Sequence, residues 1–295
     1  MKPILFEPVA SPYLVPFDGS VRLADLPTDP PDDAPGKKDN KEALEEETAK
    51  LQKLQAKLYA QDRYAVLLIF QAMDAAGKDG TIKAVMSGVN PAGCQVFSFK
   101  APSAEELDHD FLWRCWRNLP ERGRIGIFNR SHYEEVLVVR VNPGYLAGQR
   151  LPRVPEPLDA LWAERYDSIR DAERHWARNG TVVLKFFLNV SKKEQKRRFL
   201  DRIEDRSGNW KFSAGDVEVR KDWDKYMDAY QHAMRETSRP WAPWYAIPAD
   251  DKPYMRRTVS EIIVRTLDRL DIAYPEVSDA ERAEMMTVKA ELERD

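Results

Sequence analysis

The sequence predicts an α/β fold, with a parallel sheet of about five strands and helices on both faces. Two observations predict it. Short apolar runs of strand length alternate with helical stretches along most of the chain. The runs "AVLLIF" and "TVVLKFFLNV" are also nearly continuous in apolar residues, as strands buried on both faces must be. The 295 residues are ample for a core, and no repeat of fixed period interrupts the alternation.

Residues 1–39 are rich in proline and aspartate and lack periodicity; "PTDPPDDAPGKKDN" reads as an extended arm or linker, or as disorder. From Asn40 to about Gln61 a highly charged helix carries Leu44, Leu51, Leu54 and Leu58 on one face, to pack against the domain or a partner subunit. Strand "YAVLLIF" (64–70) leads to a helix from Asp79 to Ser87. Strand "CQVFSF" (94–99) precedes a capping box, "SAEE" at 103–106, that opens a helix running to about Asn118. Strand "RIGIFN" (124–129) is followed by "HYEEVLVVRV", a helix or turn. An amphipathic helix over 158–178 stops at Asn179-Gly180, and strand 181–190 and helix 191–205 follow. A segment rich in Trp, Lys and Asp runs to about 240. Strand "WYAIPA" (244–249) and a helix over 254–270 close the main domain, 40–272, leaving 273–295 as a charged tail.

Composition narrows the function. A formal charge of −3 argues against a general DNA or RNA binder, so any polyanion site must be a local patch. Cys94 and Cys115, the only cysteines, sit in two elements expected to be buried, which offers neither a disulfide framework nor a zinc site. The N-terminus lacks the pattern of a signal peptide, and the longest apolar run falls well short of a membrane span. These features lead to the expectation of a soluble cytoplasmic protein with no membrane partner.

The stretch "MDAAGKDGTIK" (73–83) carries the chemistry. A strand that ends in small residues and opens a helix leaves backbone N–H groups unpaired at the positive end of the helix dipole. Ala75, Ala76 and Gly77 keep that turn bare, Gly80 lets a phosphate approach, and Lys78 adds a compact positive charge. The pattern G-x-x-x-x-G-K-[ST] is met imperfectly: Ala72 replaces the first glycine, Asp79 follows the lysine, and the nearest hydroxyl is Thr81. An acid in a phosphate cradle repels its ligand unless a cation intervenes, so Asp74 is a candidate Mg²⁺ ligand. Asp79 is a weaker one, and complementing the helix dipole is its preferred role.

The strand "RIGIFN" repeats the logic, because ligands of open parallel sheets sit beyond the carboxyl ends of strands. Asn129 can orient a metal-bound water or a phosphate, and Arg130 can neutralise phosphoryl oxygens with its planar fork. Glu134 and Glu135 are candidates for contact with a base amino group or a metal, or are solvated acids. His132 has no histidine neighbours in sequence and reads as structural. In the next helix Arg198, Arg202 and Arg206 fall at i, i+4 and i+8, with Lys211 beyond a glycine–asparagine turn. They form either a solvated face or a lid closing over phosphates. Trp223, Tyr226 and Tyr230 recur at helical spacing and read as packing.

Together "MDAAGKDGTIK", "FNRSHYEEVLVVRV" (128–141) and "RRFLDRIEDRSGNWKFS" (197–213) resemble the second family of polyphosphate kinases, over about residues 40–272. The resemblance implies a P-loop kinase-like sheet with a helical lid at about 198–240. It implies Mg²⁺-dependent phosphoryl transfer, with Mn²⁺ as a possible substitute, between inorganic polyphosphate and adenine or guanine nucleotides. The family's lysine and aspartate match Lys78 and Asp74, and its second motif falls on Asn129 and Arg130. Basic lid residues fall among Arg198, Arg202 and Lys211, while Ala75, Ala76, Gly77, Asp79, Gly80, Thr81, Lys83, Glu134 and Lys211 line the phosphate and nucleotide sites. Asn129 stands where many members carry aspartate. This departure resembles the subgroup that phosphorylates both AMP and ADP. A homodimer or homotetramer is expected, with helix 40–61 and the arm as contact surfaces. The rival reading is an ATP-dependent kinase of a nucleoside or small metabolite, which the same cradle would serve.

Overall fold

The computed structural model describes residues 5–205, 209 and 214–294. After the arm come α1 (Lys37–Gln61), β1 (Ala65–Gln71), α2 (Lys78–Val85) and β2 (Cys94–Ser98). Two single-turn helices, α3 (Ala104–Leu107) and α4 (Trp113–Trp116), precede β3 (Ile125–Asn129). A 3₁₀ segment (His132–Val136), α5 (Val138–Val141) and α6 (Leu146–Gln149) lead to α7 (Asp159–Arg178) and β4 (Thr181–Asn189). Then follow α8 (Lys192–Glu204), α9 (Ala214–Lys221), α10 (Trp223–Thr237), β5 (Trp244–Pro248), α11 (Lys252–Asp268) and α12 (Asp279–Leu292).

The five strands form one parallel sheet in the order β2-β3-β1-β4-β5. β1 is central and every one of its residues is buried, which explains its unbroken apolar run. α1 and α2 pack with α11, and α7 packs with α10. β4 touches both α7 and α11. In register, Phe70 of β1 lies opposite Asn129 of β3, so the two strand tips are side by side.

Three elements depart from the sequence expectation. α1 starts at Lys37, three residues before Asn40, because Asn40 is buried and its amide donates to the Pro35 carbonyl at 2.7 Å. The expected helix over 103–118 is two pieces. Its capping box is formed, but the Asp110 carboxylate accepts from the Leu112 N–H at 2.9 Å and diverts the backbone from the helix. The charged tail contains a helix, α12, capped by Ser278 and exposed along its length.

The N-terminal arm is tied to the domain from residue 5 onward. Val15 donates to Trp244 and Ala246 donates to Tyr13, which adds an antiparallel bridge to the β5 edge. Phe6, Val9, Tyr13, Val15, Val21 and Leu23 are buried. The segment beyond them is pinned where Asn189 Nδ2 donates to the Leu26 and Pro27 carbonyls. Trp223, Tyr226 and Tyr230 of α10 are buried, so the C-terminal half of the expected lid is a packed helix. Cys115 is fully buried and Cys94 partly so; burial pushes the Cys115 thiol up to about 12 and the Cys94 thiol up to about 11. Among the described residues no helix is long and apolar enough to cross a membrane.

Candidate active site

The turn after β1 needs two left-handed residues, Ala75 at φ +62° and Gly77 at φ +109°. Glycine adopts that conformation freely, whereas alanine does so at a cost of order 1 kcal/mol, a strain characteristic of ligand sites. The turn delivers Lys78 as the first residue of α2. Its ammonium is buried and donates to the Ala72 carbonyl at 2.8 Å, with Asp74 Oδ1 3.9 Å away. Burial pulls the pKa of Lys78 down, and Asp74 opposes that shift.

Arg130 crosses from the β3 tip to this turn. Its backbone is left-handed at φ +64° and its N–H donates to the Phe70 carbonyl at 3.0 Å. Its guanidinium donates to Asp74 Oδ1 at 2.6 Å and lies 3.5 Å from Glu134. Burial disfavours its charge, but Glu134 and Asp74 outweigh that effect and hold it more firmly protonated than usual. Glu134 is raised by burial, against the pull of Arg130 and Lys78. The buried Gln71 amide donates to Ser131 Oγ at 3.2 Å, a further tie between the tips.

The structure therefore brings Asp74, Lys78, Arg130 and Glu134 into one cluster. Asn129 adjoins it and donates to Asp79 Oδ1 at 2.6 Å, so its amide steadies an acid at the edge of the loop. Thr81 is buried and its hydroxyl donates to the Gly77 carbonyl at 3.0 Å, engaged by its own helix. Lys83 is exposed on α2. Glu135 is pinned by Arg165 Nη1 at 3.1 Å and by Gln149 at 2.6 Å, in a buried pair that holds the wall of the site.

Arg198 sits behind the loop. It is 5% exposed. It donates to Glu194 at 2.7 Å, to the Ala75 and Ala76 carbonyls at 3.2 and 2.6 Å, and to the Ala249 and Asp250 carbonyls at 2.6 and 3.1 Å. Those partners engage all the donors of its fork and make Arg198 a positioning residue of the turn. Arg202 lies over the Phe199 ring, 5.7 Å from its centroid. Arg206 and Lys211 lie outside the described residues. His132 is buried and held neutral by that burial, with Nε2 3.7 Å from Glu173.

Two contributors escape a sequence reading. Gln195 of α8 is fully buried and donates to the Asp74 carbonyl at 2.9 Å while accepting from Arg220 of α9 at 2.8 Å. The signal was a polar residue four positions before Phe199, on the buried face of its helix. Tyr230 is buried near Glu134, Arg130 and Asp74. Beside Arg130 and Glu134 opens a cavity of about 450 Å³, walled by Phe99, Phe111, Val138 and Tyr145 and reached by Arg114.

The donors at the loop edge, Asp74 and Asp79, are hard carboxylate oxygens. Among the described residues no three His, Cys, Asp or Glu side chains converge. One or two carboxylates, completed by phosphate and water, is how Mg²⁺ is held in phosphotransferases, so these residues fit that ion.

Bare amides, a buried ammonium and an arginine meet here at the carboxyl edge of a parallel sheet whose first strand is central. Fold and site together define the class of P-loop phosphotransferases. The family model of Polyphosphate kinase 2 matches residues 35–275. The chain belongs to the polyphosphate kinase 2 family. It is 55% identical over 251 residues to the ADP-polyphosphate phosphotransferase of Rhodopseudomonas palustris, covering 85% of this chain and 87% of that one. It is 47% identical over 245 residues to the AMP/ADP-polyphosphate phosphotransferase of Meiothermus ruber, covering 83% and 87%. The crystal structure of polyphosphate kinase 2 from Arthrobacter aurescens aligns with a TM-score of 0.82 at 38% identity, over 91% of this chain and 93% of that one.

Proposed function

We propose that the protein transfers the terminal phosphoryl group of inorganic polyphosphate to ADP and to AMP, and that the same site runs the reverse transfer. The observation that carries this reading is the placement of Arg130 between the loop cluster and the 450 Å³ cavity. Donor phosphates bind at the loop amides and Lys78. The acceptor nucleotide, adenine or guanine, occupies the cavity, whose apolar wall suits a base and whose arginines suit its phosphates. An oxygen of the acceptor's terminal phosphate forms the new P–O bond as the bridging P–O bond to the rest of the polyphosphate breaks.

No general base is required, because the attacking oxygen is already anionic. Positioning and charge neutralisation supply the catalysis. Arg130 stabilises the equatorial oxygens of the transferring group, and Glu134 and Asp74 hold that guanidinium charged and aimed. Asp74, with Asp79 steadied by Asn129, would hold Mg²⁺, which supplies neutralisation of phosphate charge when bound. Relatives named for ADP and for AMP/ADP support both acceptors.

The test is a Mg²⁺ assay of polyphosphate against AMP, ADP, GMP and GDP in parallel, reading each product by chromatography. ADP formed from AMP and ATP formed from ADP are expected. Absence of any phosphorylated nucleotide, together with ATP consumption on a non-nucleotide acceptor, would instead establish the ATP-dependent metabolite kinase.

A further inference from the structure

Three successive carbonyls of the N-terminal arm reach the carboxyl edge of the sheet beside the loop. Asn189, the last residue of β4, is 4% exposed. Its amide turns to the arm: Nδ2 donates to the Leu26 carbonyl at 3.2 Å and to the Pro27 carbonyl at 3.0 Å. The Thr28 carbonyl accepts from the Asp250 N–H at 2.9 Å, just beyond β5. The arm thus ties together two strand tips that also bond directly. There the Ala249 N–H donates to the Asn189 carbonyl at 3.1 Å, and the Ser191 N–H to Asp250 Oδ1 at 2.7 Å. The arm precedes residues 35–275, the stretch that matches the family model.

The segment so fixed is one wall of the Arg198 socket. Nη2 of Arg198 donates to the Ala249 and Asp250 carbonyls, and Nη1 donates to those of Ala75 and Ala76. One guanidinium therefore spans from the residues the arm holds to the turn that carries the left-handed Ala75. A planar fork transmits displacement, because its donors keep a fixed mutual geometry. Hydrogen bonds weaken steeply as they lose alignment, so a shift at 249–250 must be followed at 75–76 or break those bonds. A left-handed alanine persists only where its surroundings over-determine it. Loosening the socket would let the turn relax, and Asp74 and the loop amides would move with it.

We propose that the arm segment 26–28, seated through Asn189, is a positioning element of the catalytic loop, and that Asn189 is a positioning residue acting through the 249–250 turn and Arg198. The inference rests on the reading of the loop as the phosphate site. It gives the arm a catalytic consequence separate from its cover of the β5 edge. Losing both Asn189 hydrogen bonds should cost about tenfold in the population of the aligned loop.

The experiment compares wild type, Asn189→Ala, Asn189→Asp and, as a control, Val9→Ala. Asn189→Asp keeps the size of the side chain and removes both donors. Val9 is fully buried in the arm, so its truncation weakens the packing of the arm without removing a bond at the strand tips. Thermal transitions are recorded first, and every assay is run well below them. Hydrogen exchange of the peptide covering residues 72–81 is followed by mass spectrometry. Steady-state kcat and KM are measured with long-chain polyphosphate and ADP. Expected in both Asn189 variants are exchange at 72–81 faster by about tenfold and kcat lower by about tenfold, with the KM for ADP near wild type. Val9→Ala should lower the thermal transition yet leave exchange at 72–81 and kcat at wild-type values. Asn189→Ser, which keeps one donor, should fall between wild type and Asn189→Ala, and it carries the same comparison if the harsher variants do not fold. Unchanged exchange at 72–81 or unchanged kcat in the Asn189 variants would overturn the proposal, as would the same changes in Val9→Ala. If wild type transfers no phosphate, the proposed function fails by itself, and the exchange comparison still decides the positioning role.

Discussion

At the scale of single residues, the loop gives Lys78 and Arg198 different surroundings. Lys78 opens α2 with its ammonium beside Asp74, in the reading proposed above as a donor to phosphate, whereas Arg198 holds the turn from behind. Lys78→Ala should therefore abolish turnover, by about 100-fold or more, as losing a preorganised charge donor does, while the thermal transition stays near wild type. Arg130→Ala should cost about 1,000-fold in kcat, the scale of an arginine acting on a transferring phosphoryl group, with a smaller effect on KM. Arg198→Lys should behave differently. An ammonium cannot satisfy four carbonyls spread over two loops, so stability should fall by about 2–3 kcal/mol, seen in denaturant unfolding, and activity should fall with it. An Arg198→Lys variant that lost activity with undiminished stability would place this residue among the substrate contacts instead. Asp74, Lys78 and Arg130 were legible because their signals are local: a small-residue turn, a lysine at a helix start, an arginine at a strand tip. The role of Arg198 was not, since its partners lie about 50 and 120 residues away in sequence.

At the scale of elements, α8 and β4 hold the site through charged groups. Glu194 is drawn down to about 2 by Arg197 first and then by Arg198. A carboxylate whose folded pKa is depressed adds stability above its unfolded value of 4.5 and loses it as pH falls toward 2. Stability should decline over that acid window, and Glu194→Gln should flatten the decline in urea titrations at stepped pH. In β4, Lys185 is fully buried and drawn down to about 8 by desolvation. It donates to Glu173 at 2.6 Å, to Tyr133 Oη at 2.9 Å and to the Thr237 carbonyl at 2.9 Å. This network fixes Tyr133, three residues beyond Arg130, against α7 and α10. Lys185→Met should cost about 3–5 kcal/mol by stranding the buried carboxylate, and adding Glu173→Gln should recover much of that loss in unfolding measurements. The central strands were legible as elements because a strand buried on both faces is apolar nearly throughout, as in β1 and β4. The break between α3 and α4 escapes a reading of periodicity because one hydrogen bond, from the Leu112 N–H to the Asp110 side chain, decides it.

At the scale of the molecule, the arm is part of the fold. It covers the edge of β5, buries six apolar side chains and answers the Asn189 amide. Deleting residues 1–26 should lower the thermal transition by several degrees and promote association through the bared edge, visible by size-exclusion chromatography. A truncated protein as stable and monodisperse as the full chain would make the arm dispensable.

By itself the sequence determined the alternation of strand and helix, the strand tips that carry the candidate site and the identities of the residues at those tips. Those properties are written in short windows, through burial on both faces and through turn chemistry. Only the tertiary structure decided which arginine touches the loop carbonyls, which glutamine anchors Asp74, and that Arg256 stands beside Gly80. Such assignments depend on which distant segments become neighbours, and a hydrogen bond or an ion pair carries no trace of its partner in the residues adjacent to it in the chain.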